Sequence, residues 1–193
     1  MIEVAIITLI ALAVAGFFAT PLAGLTASCK SVISSVATED YGITEDSVLK
    51  DTVMISEPQN FTFGQAADQV DLIYHAKVTL AASANSEIDL QSILDAFGNS
   101  ISFAKVKYLF IQHTGDAGDD SGIIVGGAAS NAFSAFLGDP TDTLLLEADG
   151  EFTLNAPGAG YTVDATHKEL KLEHDGAGSE SVIVNVLILG LSS

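Results

Sequence analysis

A chain of 193 residues is long enough for a domain of ordinary size with a full hydrophobic core. It carries 25 Asp plus Glu against 7 Lys plus Arg, a formal net charge of −18, which repels a phosphate backbone and argues against nucleic acid as a partner. Its single cysteine, Cys29, excludes an intramolecular disulfide framework.

From Val4 to Cys29 no residue is charged, and residues 4–19 (VAIITLIALAVAGFFA) are almost unbroken aliphatic and aromatic side chain. A helix over 2–25 is about 35 Å long, enough to cross a hydrocarbon core of about 30 Å. Ala11, Ala13, Ala15 and Gly16 permit close contact with a neighbouring helix. Ahead of the apolar run the only charge is Glu3, and the first basic residue is Lys30, a pattern that argues against a cleaved secretory signal. Leu25 stands one position too early for a lipoprotein signal ending at Cys29. The expectation is a hydrophobic α-helix over 1–25, inserted in membrane lipid or buried among neighbouring hydrophobic helices. Its assembly or membrane residues are Glu3, Ile6, Leu9, Ile10, Ala13, Phe17, Phe18 and Pro21. The segment MIEVAIITLIALAVAGFFATP resembles the mature N-terminus of type IV pilins in its early glutamate, long aliphatic helix and proline near the kink. That resemblance implies helices packed in a filament core, with Glu3 neutralising a neighbouring subunit's N-terminal amine.

Pro21 and Gly24 end or kink such a helix. Residues 26–47 are Ser/Thr rich and then acidic, which reads as a linker or extended arm with a short helix over 31–37. From Val48 onward, short β-branched or alternating runs are separated by turn residues, and an all-β domain is expected over 48–193. The predicted strands are 52–57, 60–63, 72–81, 86–90, 100–113, 121–125, 142–147, 151–156, 161–163, 169–173 and 181–189. Turn chemistry at Gly98-Asn99, Asp149-Gly150, Pro157-Gly158 and Asp175-Gly176 punctuates them. Their number and spacing suggest a jelly-roll-like antiparallel β-sandwich, since a single sheet leaves Val182, Val184, Val186 and Ile188 without an opposing layer. Alternation along 105–113 places Val106, Tyr108 and Phe110 on one face and Lys105, Lys107, Leu109, Ile111 and His113 on the other. Two lysines on one face suggest a contact to an acidic neighbouring subunit, or else a solvated or edge strand.

Chemical constellations are sparse. His75, His113, His167 and His174 lack metal-ligand spacing and read as ordinary strand or turn residues. Gly126-Gly127 is not followed by a Lys-Ser/Thr pair, and no GxSxG elbow occurs, so neither a phosphate loop nor a nucleophile is indicated. The chain is therefore not expected to be an enzyme, to bind a small-molecule substrate or to need a cofactor. The acidic loops supply the one candidate cation site: Asp116, Asp119 and Asp120 in GDAGDDSG with Asp139 and Asp142 in GDPTD, as oxygen ligands for structural Ca²⁺. The alternative reading is solvated turns, where Asp and Gly are the usual residues.

Over about residues 65–193, four blocks in order resemble small virion structural proteins of tailed bacteriophages. They are ADQVDLIYHAKVTLAASANSEIDL, DAFGNSISFAKVKYLFI, VGGAASNAFSAFLGDPTDTLLLEADGEFTLNAPGAGYTV and GAGSESVIVNVLILG. The resemblance implies a particle component and carries no catalytic residue. The expected function is thus a self-assembling capsid or capsid-associated subunit, located in a virion that includes an internal membrane or buries the helix between subunits. Its principal partner is itself, in a high-order homo-oligomer. The alternative is a pilin-like subunit of an extracellular filament at a cell surface.

Overall fold

The computed structural model describes the backbone of residues 26–40, 48–114 and 121–192, and the side chains of residues 59–114 and 121–192. The helix expected over 1–25, with Glu3, Ile6, Leu9, Ile10, Ala13, Phe17, Phe18 and Pro21, lies outside the described residues. Among the described residues every regular element is a strand, and no helix is long and apolar enough to cross a membrane. The chain divides into two compact units, Met1–Thr62 and Phe63–Ser193.

In the first unit, β1 (Thr26–Asp40) and β2 (Val48–Phe63) form an antiparallel ladder from Thr26 opposite Thr62 to Asp40 opposite Val48. The helix expected over 31–37 is therefore corrected: those residues lie inside β1. Serine has little helical preference, whereas Val32, Ile33 and Val36 are β-branched and meet Ser56, Ile55 and Thr52 of a strand about twenty residues away. The two strands predicted over 52–57 and 60–63 are one, continuing through Pro58, which stands opposite Lys30.

The second unit begins with β3 (Gln69–Val70), β4 (Leu72–Leu80), β5 (Asn85–Asp89), β6 (Ile93–Leu94), β7 (Ser100–Ile101) and β8 (Phe103–Thr114). It continues with β9 (Ile123–Gly126), β10 (Thr143–Leu146), β11 (Glu151–Asn155), β12 (Tyr161–Thr162), β13 (Glu169–His174) and β14 (Val182–Ser192). One antiparallel sheet has the order β11-β8-β14-β4, with β12 also paired to β8; a second has the order β10-β9-β13-β5. Nearly every predicted strand is present in this unit, and the two-residue strands β3 and β6 were too short to show a period.

Both sheets contribute to one hydrophobic cluster. Val182, Val184, Val186 and Ile188 of β14 are buried beside Leu109 and Ile111 of β8, and the other sheet supplies Ile88, Ile123, Val125, Leu170 and Leu172. Strict alternation on β14 explains the arrangement, because inward residues are aliphatic while Ile183, Asn185 and Leu187 between them are only half-buried. The opposing layer that the valine column required is thus present.

The face assignment on β8 needs correction at one end. Leu109, Ile111 and His113 share the buried face with Lys107 as expected, but Val106 is buried as well. Between Leu189 and Gly190 the β14–β8 register shifts, so that Leu189 faces Tyr108 and Gly190 faces Val106, leaving Lys107 as the extra residue of a bulge. Nor is β8 an edge strand, since it pairs with β14 on one side and β11 and β12 on the other. Gly190 makes the close approach possible: a Cβ there would press into the Lys105 carbonyl oxygen and lie 2.8 Å from the Phe103 ring. Gly190→Ala is expected to lower stability by about 2–4 kcal/mol, the cost of overpacking against backbone, read as a fall in urea midpoint with unchanged slope.

Candidate functional site

The described polar groups fall into three clusters, each built where a strand ends or bulges. The first surrounds Lys107. At the bulge, its Nζ donates to the Ala66 carbonyl oxygen at 2.6 Å while the side chain stays 1% exposed. Burial pushes this amine below the ordinary lysine range, and the carboxylates of Asp68 and Asp71 oppose that shift. Beside it, Asp71 Oδ1 accepts the Ser192 N–H at 2.7 Å, and its Oδ2 accepts the Ser192 hydroxyl at 2.7 Å and the Gln65 amide at 3.1 Å. This cluster ties the chain entering the unit to the last strand. The Lys107 ammonium is thus engaged within its own chain.

The second cluster holds the histidines. His174 Nδ1 accepts the Gly176 N–H at 3.0 Å, which leaves the proton on Nε2, 3.0 Å from the Glu180 carbonyl oxygen. His113 Nδ1 accepts the Asp149 N–H at 3.3 Å, while its Nε2 is buried with no hydrogen-bond partner among the described residues. Both rings hold neighbouring turns in place. His75 is exposed on β4, and His167 closes a turn through Asp164, whose carboxyl is lowered to about 2, chiefly by hydrogen bonds from Thr166. Asp175 accepts N–H bonds from Gly122 and Ala177, locking the β13–β14 loop to β9.

The third cluster is the GDPTD turn. Asp139 Oδ1 accepts the Thr141 N–H at 3.0 Å and its hydroxyl at 2.8 Å, and Asp142 Oδ2 accepts the Asp139 N–H at 2.8 Å. Those bonds hold the Asp139 carboxyl below its ordinary range. Both aspartates thus close the turn itself, whereas Asp116, Asp119 and Asp120 lie outside the described residues. Among the described residues no three His, Cys, Asp or Glu side chains converge as a metal site.

The outward face of the β11-β8-β14-β4 sheet is ordered in rows. Lys77 stands opposite Asn185, Asn185 opposite Gln112, and Gln112 opposite Glu151. Within this row Asn185 Nδ2 donates to Gln112 Oε1 at 3.2 Å and also to Thr114 Oγ1 at 3.1 Å. Its two ends, Lys77 and Glu151, are exposed on opposite edges of the sheet. Among the described residues three large apolar side chains are exposed elsewhere, Leu145 at 49% on β10, and Leu94 at 61% and Phe97 at 78% around a β6–β7 turn closed by Asp95.

Sequence reasoning missed the Lys107–Ala66 bond, the Asp71–Ser192 clamp and the Lys168–Asp89 ion pair. Each joins residues far apart in the chain, and only the strand register brings them together. No protein-family model matches the chain, and no curated protein matches it.

The Lys107 environment makes a prediction about alkaline stability. An amine held below its unfolded value binds fewer protons in the folded state, so its penalty is present at neutral pH. The penalty is relieved as pH rises through the lowered value toward 10.5. Lys107→Met, which keeps the buried stem, should change stability by less than about 1 kcal/mol at pH 7 and remove this alkaline gain. Lys107→Ala should cost about 2 kcal/mol through lost packing. Denaturant melts of the parent and both variants at pH 7 and pH 10.5 measure the differences.

Proposed function

We propose that this chain is a structural subunit of a virus particle, assembling with copies of itself. Its second unit serves as a jelly-roll-like shell domain, and its apolar N-terminal segment is a helix held in lipid or between subunits. The observation that carries this reading is the pairing of two features in one chain. Residues 63–193 contain a described core fed by two antiparallel sheets, with turns closed by their own side chains. Residues 4–29 contain no charge at all. A body that already has a core favours placing the apolar stretch elsewhere, in a membrane or against other copies, where burial is worth about 25 cal/mol per Å². The ordered resemblance over residues 65–193 to tailed-phage virion proteins supports a particle rather than a catalytic role.

Function then consists of assembly, with no chemical step. Its acidic surface keeps many copies apart until the apolar segments are covered, because like charge opposes contact at long range and short-range burial overcomes it. Deleting residues 2–25 is expected to leave a folded, soluble β domain with an unchanged near-native circular dichroism spectrum and no assembly in electron micrographs. Normal assembly by the truncated chain would show that the segment does not organise the particle. Micrographs of the full chain also separate the two forms of the reading, closed particles marking the virion subunit and thin filaments the pilin-like one.

A further inference from the structure

We infer that copies of this chain join edge to edge and head to tail, β4 of one copy adding to β11 of the next. This deepens, and rests on, the reading of the chain as a self-assembling subunit. Four observations carry the inference. First, β4 pairs only with β14 and β11 only with β8, so among the described residues each has one side of its backbone unpaired with another strand. Second, the directions fit. Successive ladders in this sheet are antiparallel, which makes β4 and β11 antiparallel to each other, and a neighbouring copy placed alongside continues the alternation without inversion.

Third, the charges fit in register. Lys77 and Glu151 end the same row on the same face, so in-register extension of the sheet sets Lys77 of one copy opposite Glu151 of the next. Both are exposed, and neither has an ion pair among the described residues, whereas Lys168 and Lys171 are already paired there with acidic residues. Fourth, flanking positions on both edges are short or polar: His75 and Thr79 beside Lys77, Thr153 and Asn155 beyond Glu151, all exposed.

An edge lysine ordinarily discourages strand pairing, and here it does so selectively. A two-fold β4–β4 join brings the two Lys77 ammoniums toward each other, and like charges across a ladder repel. The head-to-tail join converts the same charge into an attraction. Such a contact is heterologous, so it repeats into a ring or an open chain of subunits rather than stopping at a dimer.

A carbodiimide tests this with the full chain. The reagent activates the Glu151 carboxylate, the Lys77 amine attacks the activated carbon, and an amide forms as the urea leaves. Within one chain the two residues sit three strand spacings apart, about 14 Å, beyond the reach of a zero-length bond. A Lys77–Glu151 cross-linked peptide with mixed isotopes, from a blend of labelled and unlabelled protein, is therefore the expected product. Lys77→Glu and Glu151→Lys should each reduce the assembled fraction at least about tenfold at matched concentration, and the double exchange K77E/E151K should restore it. Thermal melts of the exposed-site variants verify that they fold. If the parent assembles but yields no such peptide and K77E assembles normally, the edge contact is wrong while self-assembly stands. A parent that stays monomeric at every concentration overturns both.

Discussion

The pairing of β14 with strands on both sides is the constraint on which the second unit depends. Its inward residues, Val182 through Ile188, form the floor of the core, and its backbone holds β8 and β4 in one register. Because side chains alternate with period two, a one-residue slip of β14 sends every valine outward and Asn185 inward. The slip is blocked at one end by the bulge at Lys107 and Gly190, and by the Asp71 clamp on Ser192. At the centre, Asn185 bonds to Gln112 and Thr114 across the outer face and favours the same register. Apolar burial supplies the driving force, while a few polar groups select which of several similar pairings is adopted.

That division of labour explains why polar chemistry in the described residues is spent largely on architecture. His113, His174, Asp95, Asp139, Asp164 and Asp175 all receive backbone N–H donors from tight turns. Asp and Asn side chains mimic a backbone turn in this way, so an acidic, loop-rich β protein uses its carboxylates as turn formers. At GDPTD, Asp139 accepts one N–H and one hydroxyl from Thr141 and Asp142 accepts one N–H, so both carboxylates close the turn. His113 Nε2 is buried with no hydrogen-bond partner among the described residues, while Nδ1 of the same ring accepts the Asp149 N–H.

The proposed assembly gives the remaining surface a meaning. A net charge of −18 opposes casual association, so in that proposal contacts between copies must be specific in position to be favourable. Lys77 is one of few exposed cations, and its row partner Glu151 lies on the opposite edge of the same sheet.

Much of the fold was legible in the residues themselves. The strands of the second unit follow from β-branched alternation and from turn residues such as Asp149-Gly150, which are local signals. The need for a second sheet followed from the apolar column on β14. Tertiary structure alone decided the rest, because each remaining feature depends on distant partners. Residues 31–37 became strand through the register with 51–57, and Val106 turned inward because Gly190 permits a bulge that shifts the alternation. Lys107 became a buried latch because that bulge carries it to Ala66. The candidate contact was equally hidden: Lys77 and Glu151 are 74 positions apart in sequence and share a row only through Asn185 and Gln112. Local patterning determines which residues extend and which turn, whereas strand order and register determine which of them meet.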